Sequence, residues 1–159
     1  MSAPKAAGLI KVLFEVDTGD GPLPQLGIES MWAEQTGPTM ARLCNVPFFA
    51  CGVALGDLVQ IEQAADGAWK FVEVVQAAEA STLHAFAFSQ DEKKQVIDRF
   101  AAQGCIVETG PTPAYLAIHI PSLAAARWAA DLIAEYQGND QVAFQVSCSR
   151  HEPVLVSDV

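Results

Sequence analysis

From residue 81 to residue 148 the chain reads strand, capped helix, strand, turn, strand, capped helix, strand. That order restricts the folds open to it more than any other feature. Residues 81–88 are strand-like. Ser89 follows, with Glu92 three residues on: a capping box, in which the Ser hydroxyl takes a free amide of the first turn and the Glu side chain reaches back. Val96, Ile97, Phe100 and Ala101 then recur at helical spacing, and Gly104 closes the helix. Residues 105–109 read as a second strand, Gly110-Pro111-Thr112-Pro113 as a turn and residues 115–120 as a third strand. Ser122 is the N-cap of a second helix, whose stripe is Ala125, Trp128, Ala129, Leu132 and Tyr136. Gly138-Asn139-Asp140 ends it, and residues 142–148 form the fourth strand. Right-handed crossovers would place both helices on one face of a four-stranded antiparallel sheet, the ferredoxin-like βαββαβ arrangement. Leu116, Ile118, Ile120, Val142, Phe144 and Val146 should then face the helices. Tyr115, Ala117, His119, Ala143, Gln145 and Ser147 should lie on an open face. On the first strand two sets are eligible for the helix side, Leu83, Ala85 and Ala87 or His84, Phe86 and Phe88.

The first half has the period and composition of short strands, at 9–16, 28–35, 39–43, 57–62 and 69–75. Gly37-Pro38 and Asp66-Gly67 are turn signals. Five short strands in this space imply a small barrel or curled sheet. Residues 17–27 form a Gly- and Pro-rich connection, and 46–56 an apolar packed loop. The expected fold class is therefore α+β: a small N-terminal β-barrel or curled sheet followed by a ferredoxin-like βαββαβ sandwich. The expected division is a flexible tail at 1–8, an all-β subdomain at 9–80, the βαββαβ subdomain at 81–152 and a tail at 153–159.

Charge narrows the function classes. The formal net charge is −10, with −6 on residues 1–80 and −4 on residues 81–159. Nucleic-acid backbones require Lys and Arg to displace counterions, and anionic membranes require the same sign. Both are excluded as partners, whereas a basic protein would be steered towards this chain. No apolar run is long enough to span a bilayer, and the first eight residues have no signal-peptide core, so the expectation is cytoplasmic. Cys44, Cys51, Cys105 and Cys148 lack a C-x-x-C pair and read as reduced thiols.

The stretch Glu29-Ser30-Met31-Trp32-Ala33-Glu34 is followed by Asn45-Val46-Pro47-Phe48-Phe49-Ala50-Cys51-Gly52-Val53-Ala54-Leu55-Gly56-Asp57-Leu58-Val59. Together they resemble a bacterial family known only as a domain of unknown function, through the pattern E-S-x-W-A-E and then N-x-P-F-F-A-x-G-V-x-x-G-D-x-V. Cys51 stands at a variable position. The resemblance implies a bacterial source and a shared architecture, and no activity.

Residues capable of chemistry are few. Asp17-Thr18-Gly19 after an apolar strand is the turn of aspartic proteases, which need two copies to share a proton. One copy could act only in a homodimer, and Asp20 would disturb the pair, so a surface turn is the better reading. The cysteines carry no catalytic signature. The three histidines lack metal-ligand spacing, no phosphate-binding or nucleophile-elbow motif occurs, and neither metal nor cofactor is expected. His84 and His119 fall on neighbouring strands, so that His84, Tyr115 and His119 form a candidate open-face site. Asp17, Asp20, Glu29, Trp32 and Glu34 form a candidate partner-binding set, four carboxylates around one aromatic anchor. The sequence thus favours a non-catalytic acidic protein-binding module, most specifically an immunity protein neutralising a basic bacterial toxin. The alternatives are a small-molecule-sensing regulatory module and an enzyme using His84 with His119 or a dimeric Asp17 site. Homodimerisation stays open.

Overall fold

The structure, a computed structural model, describes residues 8–16, 27–110 and 112–158. They form two compact units, one of the described residues up to 45 together with 55–78, the other of residues 46–54 together with the described residues from 79 onward. The second unit thus includes a piece of the expected all-β half.

The first unit holds β1 (Leu9–Glu15), β2 (Ile28–Gly37), β3 (Met40–Leu43), β4 (Leu58–Gln63) and β5 (Trp69–Gln76). They form a closed barrel in chain order. Successive strands are antiparallel. Because the count is odd, the first and last strands run the same way, and the barrel closes through parallel pairs Val12↔Trp69 and Leu13↔Lys70. Alternation sends Val12, Phe14, Met31, Ala33, Ala41, Leu43, Val59 and Ile61 to the interior, each at most 2% exposed. Phe14 stacks on Phe71 with ring centroids 4.5 Å apart.

The second unit holds β6 (Ser81–Ala87), α1 (Gln90–Ala102), β7 (Ile106–Thr109), β8 (Tyr115–Ile120), α2 (Leu123–Glu135) and β9 (Val142–Cys148). The sheet order is β7-β8-β6-β9. Both caps form: the Ser89 hydroxyl accepts from the Glu92 amide at 3.1 Å and the Ser122 hydroxyl from the Ala125 amide at 3.1 Å. Leu83, Ala85, Ala87, Leu116, Ile118, Ile120, Val142 and Val146 pack with Val96, Phe100, Ala125, Ala126, Ala129 and Leu132 in one apolar core. Gly110 is forced by close approach. A Cβ there would stand 2.9 Å from the Tyr115 side chain, and its amide already donates to the Tyr115 carbonyl at 2.9 Å.

The expected fold class needs correction. The described residues hold nine strands and two helices, so the chain is mostly β, a closed five-stranded barrel and a separate four-stranded sheet rather than a barrel followed by a ferredoxin-like sandwich. The physical reason is that a two-layer sandwich leaves one sheet face bare, and this sheet has no bare face at its centre. All six residues of β8 are buried, as are all but Phe86 of β6. The helices cover one side, and segment 46–54 belongs to the same unit on the other.

Candidate functional site

Segment 46–54 is neither helix nor strand, so its buried carbonyls cannot be satisfied by a ladder and need partners elsewhere. The sheet supplies them from side chains. His84 Nε2 donates to the Pro47 carbonyl at 2.8 Å, and the Tyr115 hydroxyl donates to the Phe48 carbonyl. Thr82 Oγ1 donates to the Val53 carbonyl at 3.1 Å. In return the Gly52 amide donates to the Ser147 carbonyl at 3.0 Å, and the Val46 amide to Glu108 Oε2 at 2.6 Å. Register puts these side chains on one face, since Phe86 pairs with Tyr115, His84 with Ala117 and Thr82 with His119, while Glu108 pairs with Ala117. Aromatic packing fills the remaining space. The Tyr115 ring lies 5.9 Å from Phe48, 5.5 Å from Phe49, 5.5 Å from His84 and 4.6 Å from Phe86.

This geometry answers the open-face expectation. His84, Tyr115 and His119 do share a face, but that face is covered, and the three residues are 3%, 7% and 8% exposed. The Pro47 carbonyl can only accept, so His84 Nε2 carries the proton and is not a base towards Ser147 Oγ, 3.4 Å away. Ser147 Oγ donates instead to the Thr82 carbonyl at 3.3 Å. The arrangement clamps a backbone segment.

Sequence reading missed Thr82 and Glu108, and placed Ser147 on this face without giving it a role. For Thr82 the available signal was a polar residue in a strand otherwise apolar enough to be buried on both faces. It also missed a second polar pair. Ser81 Oγ lies 2.7 Å from His151 Nδ1 and accepts from the Arg150 amide at 2.9 Å, which turns the Ser proton towards the imidazole. Burial pushes the His151 pKa below its ordinary value, opposed by the negative charge of Glu79. A Ser–His pair suggests a nucleophile, but Ser81 is fully buried, so the pair anchors the chain end.

The partner-binding set is divided by alternation along β2. Glu29 is 8% exposed and lies on the inward side with Met31 and Ala33, while Trp32 and Glu34 point outward. Its inclusion among surface carboxylates is therefore corrected. Asp17 and Asp20 lie outside the described residues. Trp32 is half-buried, with Lys11 Nζ 4.6 Å from its ring centroid across the strand pair, a cation–π contact. Its amide donates to Asn45 Oδ1 at 2.7 Å and its carbonyl accepts from the Cys44 amide at 2.9 Å. The two resembling sequence blocks therefore meet at Trp32 and Asn45. Further along, the Gly56 amide donates to the Leu43 carbonyl at 3.0 Å, and Asp57 Oδ1 accepts from the Ala78 amide at 2.8 Å.

Among the described residues no group of three His, Cys, Asp or Glu side chains is placed to hold a metal ion. No helix among the described residues is long and apolar enough to cross a membrane. Burial pushes the Cys105 thiol up to about 11, while Cys44 and Cys51 are exposed.

A mostly-β chain of barrel and covered sheet is the class these elements define. Residues 29–144 match the family described as Domain of unknown function (DUF4265), and the chain belongs to that family. A solved structure titled as a hypothetical protein from Neisseria gonorrhoeae is similar at a TM-score of 0.65, with 17% identity over 87% of this chain and 94% of that one. That likeness is one of fold. No curated protein matches the sequence.

Proposed function

We propose that this chain is a non-catalytic binding protein for a basic protein partner, in its most specific form a cytoplasmic immunity protein that neutralises a basic bacterial toxin. The observation that carries this reading is an acidic surface distributed over both units. The net charge of −10 divides into −5 on residues 1–45 with 55–78 and −5 on residues 46–54 with 79–159. Most described carboxylates are exposed, among them Glu34, Glu62, Glu73, Asp131 and Asp140. Such a field accelerates encounter with a cationic protein and discriminates against anionic ones. The engagement of His84, Thr82 and Tyr115 in holding segment 46–54 supports the same reading, because these polar side chains have a structural task already. On this view the N-x-P-F-F-A-x-G-V block marks the family because it builds the clamp.

The test is association of the purified chain with the purified basic proteins encoded beside its gene. The expected result is a stable complex whose affinity falls steeply as salt rises. Absence of any complex, or a complex indifferent to salt, would overturn the reading.

One observation favours a second reading, small-molecule sensing. A hollow of about 360 Å³ at one end of the barrel is lined by Phe14, Glu15, Ile28, Glu62, Lys70 and Phe71. A metabolite that raises the melting temperature by several degrees, and loses that effect in Lys70→Ala, would favour it over the first.

A further inference from the structure

The four-stranded sheet ends in two different edges. β7 has four residues, and its Glu108 reaches the Val46 amide. β9 has seven residues, Val-Ala-Phe-Gln-Val-Ser-Cys, with no charge and no proline. Charges, prolines and shortness are the usual protections of an edge, and β9 has none of them.

The direction of its backbone groups follows from two contacts. The Phe88 amide, on the β6 side, donates to the Gln141 carbonyl at 2.8 Å, so odd-numbered residues at this end turn towards β6. Even-numbered ones turn away. Val146 agrees, donating to Asp158 Oδ2 at 2.7 Å and accepting from the Asp158 amide at 2.9 Å on the outer side. Val142 and Phe144 point their N–H and C=O groups the same way, and β9 pairs with no described strand but β6. Beside them lies a hollow of about 450 Å³ between the end of α2 and β9, lined by Ala130, Ile133, Ala134, Tyr136, Val142 and Phe144. The Tyr136 and Phe144 rings meet edge to face at 5.6 Å on its wall.

We propose that this edge receives an extended segment of the basic partner as an added strand, its alternate apolar side chains entering the hollow. Backbone pairing with Val142 and Phe144 would give affinity and the hollow would select side chains, the mode known as strand addition. This rests on the basic-partner reading. Charge decides the occupant. Asp140 precedes the free stretch and Asp158 closes its far end, both exposed, so a segment with Lys or Arg at its ends complements them. A second copy paired antiparallel about Phe144 would set the Asp140 end of one chain against the Asp158 end of the other, like charge on like charge.

The probe is a fluorescein-labelled Lys-Val-Thr-Val-Thr-Lys peptide, followed by anisotropy and by the amide NMR signals of Val142 and Phe144. Binding is expected to shift both signals. It should weaken at least about tenfold in Ala134→Trp, which fills the hollow from an exposed position, and similarly when alternate peptide nitrogens are methylated. It should also weaken in Asp140→Lys. No shift of either signal at millimolar peptide, or equal affinity for Ala134→Trp, overturns the proposal. A basic protein partner that binds wild type and Ala134→Trp equally removes the edge while leaving the basic-partner reading intact. A dimer that Ala134→Trp dissociates would overturn it in favour of a second copy.

Discussion

The two faces of the four-stranded sheet are covered by different means. On one face α1 and α2 satisfy their own backbones, so the contact needs only volume, and it is supplied by Leu83, Ala85, Leu116, Ile118, Phe100 and Leu132. On the other face segment 46–54 has no ladder of its own. The sheet beneath it must offer donors as well as bulk, and it does so through Thr82, His84 and Tyr115. A covering element that brings its hydrogen bonds with it permits an apolar floor, while one that does not requires a polar floor. Histidines and serines in a buried strand can therefore be structural for a definite reason.

The comparison can be broken most forcefully on the apolar side. Phe100→Ala, at a fully buried site against Trp128 and Phe144, should cost about 3–5 kcal/mol in urea-unfolding stability. On the polar side, Thr82→Val keeps shape and leaves the Val53 carbonyl without its donor, and should cost about 1–3 kcal/mol. Equal costs for the two substitutions would abolish the distinction. Ser89→Ala removes a cap outside either face and should cost about 1 kcal/mol, setting the scale of a purely local effect.

Two smaller tests sharpen the picture. The folded state holds His151 less basic than the ordinary 6.5. As pH falls through that value the unfolded chain takes up the proton first. The stability contributed by neutral His151 is thus complete above it and lost towards acid. Urea midpoints at pH 7.5 and pH 5.5 should differ less in His151→Gln than in wild type. Thiol titration with a disulfide reagent should find Cys44 and Cys51 reacting fast and Cys105 slowly, with no change in the fold.

Much of this was readable from the residues. Ser89 and Ser122 marked both helix starts, and strand bounds along the first half fall within two residues of those observed, because caps, turns and alternation are local. The first strand of the second unit could not be oriented, since either Leu83, Ala85 and Ala87 or His84, Phe86 and Phe88 could face the helices. That ambiguity was itself the signal: a strand eligible on both sides is a strand covered on both sides.

By itself the sequence determined where elements begin and end, the acidic sign of the surface and the family resemblance, all properties of neighbouring residues or of sums over the chain. Tertiary structure alone decided that five strands close into a barrel, that Glu29 turns inward and that segment 46–54 lies over His84 and Tyr115. Those outcomes depend on which distant groups share a face, and a buried carbonyl in an irregular segment is satisfied by whatever donor the fold brings within reach, however far away it lies in the chain.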